Sequence, residues 1–242
     1  MSAPSVAIIG LGRVGLPLSL VLAATGCEVR GIDINTEMLS SLAEGRMPFS
    51  ENDADELLAS QLGKSFRAGN DISAAAGCDY IVLTLGTPVD HNMDPDLSQI
   101  ETSIGNLAPH LSPGQTIILR STVNPGTTAW VQAKLEDEFG FRVGQDIFLA
   151  FCPERIAEGR ALKELHEIPQ IVGGIEPGST QRATVSSRRW RAWSARSRSV
   201  SLREATVISQ PRGWSGRPPA GHCAAAAISA SWVASSASSK CP

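Results

Sequence analysis

No charged side chain precedes the first apolar run of this 242-residue chain: the opening residues MSAPS lack the basic flank that a secretory signal carries ahead of its core. Nor does the chain hold a clean hydrophobic stretch that reads as a membrane span. The run from Val6 to Ala24 comes nearest, but Arg13 stands in its middle, where a charge is costly in lipid, with Gly10, Gly12, Gly15 and Pro17 around it. The five cysteines, Cys27, Cys78, Cys152, Cys223 and Cys241, have no paired spacing and no metal-ligand pattern. A reduced, cytoplasmic setting is therefore favoured over a disulfide framework, and no metal is expected.

What is present explains the apolar run. "VAIIG" reads as a short β-branched strand, "GLGRVG" as a tight turn, and "LPLSLVLAATG" as a helix closed by Gly26. Gly10-x-Gly12-x-x-Gly15 alone is a weak signal, because glycines at that spacing arise by chance. Its context is strong: a strand precedes it, a helix follows it, and the next strand, "EVRGID", places Asp33 about twenty residues on, where a carboxylate meets a ribose. In this reading Gly10 permits the turn, Gly12 lets the backbone approach a pyrophosphate, and Gly15 lets the helix pack close to the strand. Arg13 and Val14 lie in the same phosphate-binding turn, and the helix N-terminus receives the anion. An acid at position 33 accepts ribose hydroxyls and repels a 2′-phosphate, so NAD is expected over NADP. The alternative is three turn glycines and a solvated aspartate.

The chain falls into two parts of opposite charge. Residues 1–181 carry 11 Lys and Arg against 23 Asp and Glu, a net of −12, whereas residues 182–242 carry 10 against 1, a net of +9. In the first part helical and strand patterns alternate. "NTEMLSSLAEG" starts at Asn35 or Thr36 and stops at Gly45; "ENDADELLASQLG" is a short acidic helix; "DYIVLTLGTP" is a buried strand ended by Gly86 and Pro88; "DLSQIETSIGNLAPHL" is a helix capped by Asp96. "GQTIILRSTV" and "DIFLAFCPE" are further strands, with the helix "GTTAWVQAKLEDEFG" between them. Strands without polar alternation, separated by helices, predict an α/β fold: a doubly wound, Rossmann-like parallel sheet covered on both faces. Its ligand lies beyond the carboxyl ends of the strands.

Those ends carry the remaining candidates. Thr87 and Pro88 in "LGTP" and Thr122 in "RSTVNPGTT" offer short side chains where a cofactor passes, although turn and cap chemistry explains either threonine equally well. In "FCPERIAEGRAL", Glu154 and Glu158 are four residues apart. If that stretch turns helically, both face a pocket and can position water or share protons; otherwise they are two solvated carboxylates.

Together, "VAIIGLGRVGLPLSLVLAATGCEVRGIDIN", "GTPVDHNMDPDLSQI", "RSTVNPGTT" and "CPERIAEGRALKELHEIPQIVGG" resemble the UDP-glucose and GDP-mannose dehydrogenase family, over residues 5 to about 181. The form "CPERIAEG" is nearest the UDP-N-acetylmannosamine branch. The resemblance implies oxidation of a sugar's C6 alcohol to a carboxylate by two hydride transfers to NAD, through an enzyme-bound thiohemiacetal and thioester. It implies that Gly10, Gly12, Gly15 and Asp33 hold NAD, that Thr87 and Thr122 border the cofactor, and that Thr122 lies near the catalytic water. Glu154 assists water activation or hydrolysis, and the run Arg155, Ile156, Ala157, Glu158 touches the sugar nucleotide, a UDP-hexosamine or UDP-glucose type. Asn124 stands where proline is common in the family's "STVPPGTT", a departure that leaves Thr122 in place.

Beyond residue 181 the likeness stops. The family's dimer-forming helix, with its catalytic Lys and Asn, and its Gly-rich segment around the nucleophilic Cys are not found in the 242 residues, so an NAD-binding portion without turnover is expected. The stretch 182–242, rich in Ser, Ala and Arg, shows neither helical nor strand periodicity. It reads as a basic arm for nucleic acid or anionic surfaces, as a disordered extension, or as an out-of-frame translation of a GC-rich gene. Trp190, Trp193, Trp214 and Trp232, four of the chain's five tryptophans, fall here, and with the charge reversal they favour the frameshift. On that reading neither nucleic acid nor membrane is a partner; the alternatives are a non-catalytic NAD-binding or sensor module and nucleic-acid binding through the tail.

Overall fold

The structure, a computed structural model, describes residues 3–88, 96–185 and 206–207. Strands β1 (Ser5–Ile9), β2 (Glu28–Ile32), β3 (Phe66–Gly69), β4 (Tyr80–Leu83), β5 (Thr116–Leu119), β6 (Phe148–Phe151), β7 (Ile171–Gly174) and β8 (Thr206–Val207) form one sheet in the order β3-β2-β1-β4-β5-β6-β7-β8. From β3 to β6 every pairing is parallel, with Val6 beside both Val29 and Tyr80. The chain leaves β1 toward one edge and returns at β4 toward the other. Connections reverse between β1 and β4, and the crevice opens there.

Helices α1 (Gly15–Ala24), α2 (Thr36–Ala43), α3 (Ala54–Gln61) and α6 (Ala161–Glu167) lie over one face of the sheet, and α4 (Ser98–Leu107) and α5 (Thr127–Asp137) over the other. The strands alternate between two cores rather than between core and water. Val6 and Ile8 pack with Leu16, Leu20 and Leu58, whereas Ala7 and Ile9 pack with Ile100, Ile104 and Leu135. This is why β1, β4 and β5 read as unbroken apolar runs. Helix α1 is buried along Gly15–Ala23, so it too lacks a polar stripe.

Several boundaries follow local chemistry. Asn35 caps α2 by accepting the Met38 N–H at 3.1 Å, and Gly45 leaves the helix at φ +76°. Asp96 accepts the Ser98 N–H at 2.9 Å ahead of α4. Others differ from the sequence reading. β4 stops at Leu83, short of Gly86 and Pro88, because its neighbours β1 and β5 end level with it at Ile9 and Leu119. β7 runs antiparallel to β6, which departs from an all-parallel sheet. Its turn into the next helix is tight: a Cβ on Gly174 would sit 2.2 Å from the Thr180 nitrogen. The tail, read as without strand pattern, contributes the two-residue β8 alongside β7; its four tryptophans lie outside the described residues.

Candidate functional site

The glycine turn between β1 and α1 sits at the reversal point of the sheet. Gly10 has φ +95°, and a Cβ there would lie 2.7 Å from the Thr84 carbonyl oxygen at the end of β4. Gly15 is tighter still, since a Cβ would come within 1.9 Å of the Gly10 oxygen. Gly12 differs in kind: a Cβ there would meet no protein atom within 4 Å. Two glycines answer to packing inside the protein, and the middle one faces open space. At the start of α1 the cap residue Val14 offers no side-chain acceptor and the first turn holds no acid, which leaves the positive end of the helix to an external anion.

The turn is braced from two sides. Thr84 Oγ1 donates to the Gly10 carbonyl at 2.6 Å. Asp33, just past β2, accepts the Leu11 N–H on Oδ2 at 2.6 Å and the Asn35 N–H on Oδ1 at 2.8 Å. Two backbone donors thus aim the carboxylate at the rim of the turn. Sequence reasoning missed Thr84, whose role depends on β1 and β4 being neighbours. It also missed Ile34, 92% exposed beside Asp33 although the described residues hide almost every other large apolar side chain. An apolar residue directly after the acid was the available signal.

At the ends of β4 and β5, Thr87 Oγ1 donates to the Thr122 carbonyl at 2.7 Å and Ser121 Oγ donates to the Leu85 carbonyl at 2.5 Å. These bonds bring the two candidate threonines together. Pro88 accepts the Asp96 N–H at 2.9 Å, which ties the LGTP turn to the approach to α4.

The third segment departs from expectation. Residues 152–157 are irregular rather than helical, so Glu154 and Glu158 do not share a face. Glu154 is buried in an ion pair with Arg120, whose side chain has no exposure. The Arg120 guanidinium also donates to the Cys152 carbonyl at 3.0 Å, to Cys152 Sγ at 3.2 Å and to Gln170 Oε1 at 2.7 Å. Burial pushes the Cys152 thiol pKa up, against the opposing pull of Arg120. Glu158 instead lies at the surface, 3.5 Å from Arg13 of the glycine turn. Between the two glutamates, Arg155 and Ala157 are exposed and Ile156 packs against the core. Arg120 was the residue missed here, because only the pairing of β5 with β6 places it under Glu154. Among the described residues no cluster of His, Cys, Asp and Glu could hold a metal, and no helix is long and apolar enough to cross a membrane.

A doubly wound sheet with a glycine turn and an acid at its reversal point defines a dinucleotide-binding domain. Residues 4–190 match the UDP-glucose/GDP-mannose dehydrogenase family, NAD binding domain, and the chain belongs to that family. It is 32% identical over 190 residues to the UDP-N-acetyl-D-mannosamine dehydrogenase of Pyrococcus horikoshii, covering 78% of this chain and 44% of that one. It is 35% identical over 187 residues to the NDP-N-acetyl-D-galactosaminuronic acid dehydrogenase of Ralstonia nicotianae, covering 74% and 44%. The solved UDP-D-ManNAc dehydrogenase from Pyrococcus horikoshii superposes with a TM-score of 0.74 at 31% identity, over 77% of this chain and 44% of that one. The chain thus spans less than half the length of the relatives it matches, and the matched part is an NAD-binding domain.

Proposed function

We propose that the chain supplies the cofactor half of a nucleotide-sugar 6-dehydrogenase, with a UDP-activated amino sugar as the substrate class. The observation that carries this reading is the placement of Asp33 against the glycine turn at the sheet's reversal point, with Gly12 open to an incoming ligand. The substrate class rests on the relatives, a UDP-N-acetyl-D-mannosamine dehydrogenase and an NDP-N-acetyl-D-galactosaminuronic acid dehydrogenase.

In this reading NAD supplies the hydride acceptor for the sugar's C6 carbon. Gly10, Gly12 and Gly15 shape the turn, and the backbone of Arg13 and Val14 with the start of α1 faces the pyrophosphate. Asp33 accepts the adenosine ribose hydroxyls, its carboxylate already aimed by Leu11 and Asn35. Ile34 gives the adenine an apolar surface, which accounts for its exposure. Thr87, Pro88 and Thr122 line the nicotinamide side, and Thr122 also orders water there. Glu154, held by Arg120, orients groups at the reacting end, while Arg155, Ile156, Ala157 and Glu158 meet the sugar nucleotide. A reduced, cytoplasmic setting belongs to the same reading and suits the buried cysteines Cys27, Cys78 and Cys152, none of which forms a disulfide among the described residues.

Calorimetric titration with NAD and NADP tests the assignment. NAD is expected to bind about tenfold or more tightly than NADP, and Asp33→Ala to weaken NAD and narrow that gap. Equal binding of both dinucleotides by the unaltered chain overturns the role of Asp33.

A further inference from the structure

The side chain of Arg13 leaves the glycine turn, passes over the Phe49 ring with its guanidinium carbon 5.3 Å from the ring centre, and ends 3.5 Å from Glu158. One residue of the cofactor turn is therefore joined to one residue of the proposed sugar-contact run. The pair is weakly held, since the Arg13 and Glu158 side chains are 50% and 72% exposed. Its two halves are not equally free to move. Glu158 is followed by a clamped backbone: Gly159 and Ala161 N–H donate to the buried Glu51 carboxylate at 3.0 and 2.8 Å, and Asn52 Nδ2 donates to the Gly159 carbonyl at 2.8 Å. Arg13 has only a long flexible arm resting on an aromatic face.

We propose that Arg13 serves two anions in alternation, the Glu158 carboxylate and the cofactor's pyrophosphate, so that Glu158 acts as a brake on dinucleotide affinity. The inference rests on the NAD reading of the glycine turn. A guanidinium matches carboxylate and phosphate geometry alike, and Arg13 is the one cation between Gly12 and Gly15. The clamp at Gly159 and Ala161 keeps Glu158 from following when Arg13 turns to the phosphates, so the pair breaks and Glu158 becomes available to a sugar hydroxyl. Cofactor binding then prepares the sugar site.

The test is a double-mutant cycle on NAD affinity, measured calorimetrically with the 242-residue chain. Glu158→Gln should tighten NAD by about twofold to fivefold, the range set by an exposed ion pair. Arg13→Gln should weaken NAD by about tenfold, the loss of a charge-assisted contact. In the Arg13→Gln background, Glu158→Gln should change nothing. The inference is overturned if Glu158→Gln leaves affinity unchanged or lowers it. It is overturned as well if the same gain persists without Arg13, which would mean plain charge repulsion. Failure of the unaltered chain to bind NAD at all is a separate result that removes the cofactor reading and this inference with it.

Discussion

Gly12 and Gly15 share a motif but answer to different constraints, and a methyl group separates them. In Gly15→Ala the new carbon collides with the Gly10 carbonyl, a backbone atom that cannot swing away, so the βα turn must open. Urea unfolding should register a loss of about 3 kcal/mol or more. In Gly12→Ala the carbon meets no protein atom, so stability should stay within about 0.5 kcal/mol while NAD affinity falls by about tenfold or more. Normal NAD binding by Gly12→Ala would show that no ligand approaches this backbone. Cys152 invites a test of the opposite kind. The thiolate is the species that alkylates, and burial raises this pKa, so at every pH from neutral to mildly alkaline less thiolate is present than for a free cysteine. Peptide mapping after iodoacetamide treatment should find Cys152 unmodified in the folded protein at pH 8 and modified in urea. Rapid labelling of the native chain would contradict its burial.

At the scale of elements, the ends of β5 and β6 are locked by the Arg120–Glu154 pair. Neither charge has water to fall back on, so removing one partner strands the other. Arg120→Met should cost about 3–5 kcal/mol in urea denaturation, whereas the double variant Arg120→Met with Glu154→Gln should recover much of it. Equal losses in single and double variants would mean that packing, not charge, is what the arginine contributes. The same scale explains what could be read from the sequence. The β1–α1–β2 unit was legible because its signals are local: glycines, strand, helix and acid fall within some thirty residues, and Asn35 and Gly45 mark the ends of α2 in their own side chain and backbone. β3 was not, because FRAG offers one buried apolar residue and acquires strand character only by lying beside β2. The reversal of β7 and the Arg120–Glu154 pair were hidden for a like reason. Both are set by pairings between strands, which no pattern within either strand announces. The imagined pairing of Glu154 with Glu158 failed because spacing alone was asked to stand for a helix that does not form there.

For the whole molecule, the proposed chemistry demands more than a cofactor domain. Oxidation of an aldehyde through a thiohemiacetal requires a thiolate within reach of the carbon, and among the described residues the cysteines Cys27, Cys78 and Cys152 are all buried. Proximity between sugar and cofactor also depends on binding surface, and the matched part covers only 44% of the Pyrococcus horikoshii relative. The 242 residues alone, incubated with NAD and a panel of UDP- and GDP-sugars, should yield no NADH above background. Sustained production of two NADH per sugar would overturn this, and its loss in Cys152→Ser would identify an unexpected nucleophile.

The sheet order has a consequence for how the chain comes into being. Of the described strands β1 is made first, yet it lies inside the sheet between β2 and β4. On a ribosome, β1, α1 and β2 can pair as soon as they emerge, and each later strand from β4 to β6 adds outward to an edge already waiting. Glu51, by contrast, must wait with its carboxylate unpartnered until Gly159 and Ala161 arrive, more than a hundred residues later. Synthesis therefore completes the cofactor turn early and closes the clamp beside Glu158 much later, so a nascent chain acquires its dinucleotide cradle before the segment that restrains it.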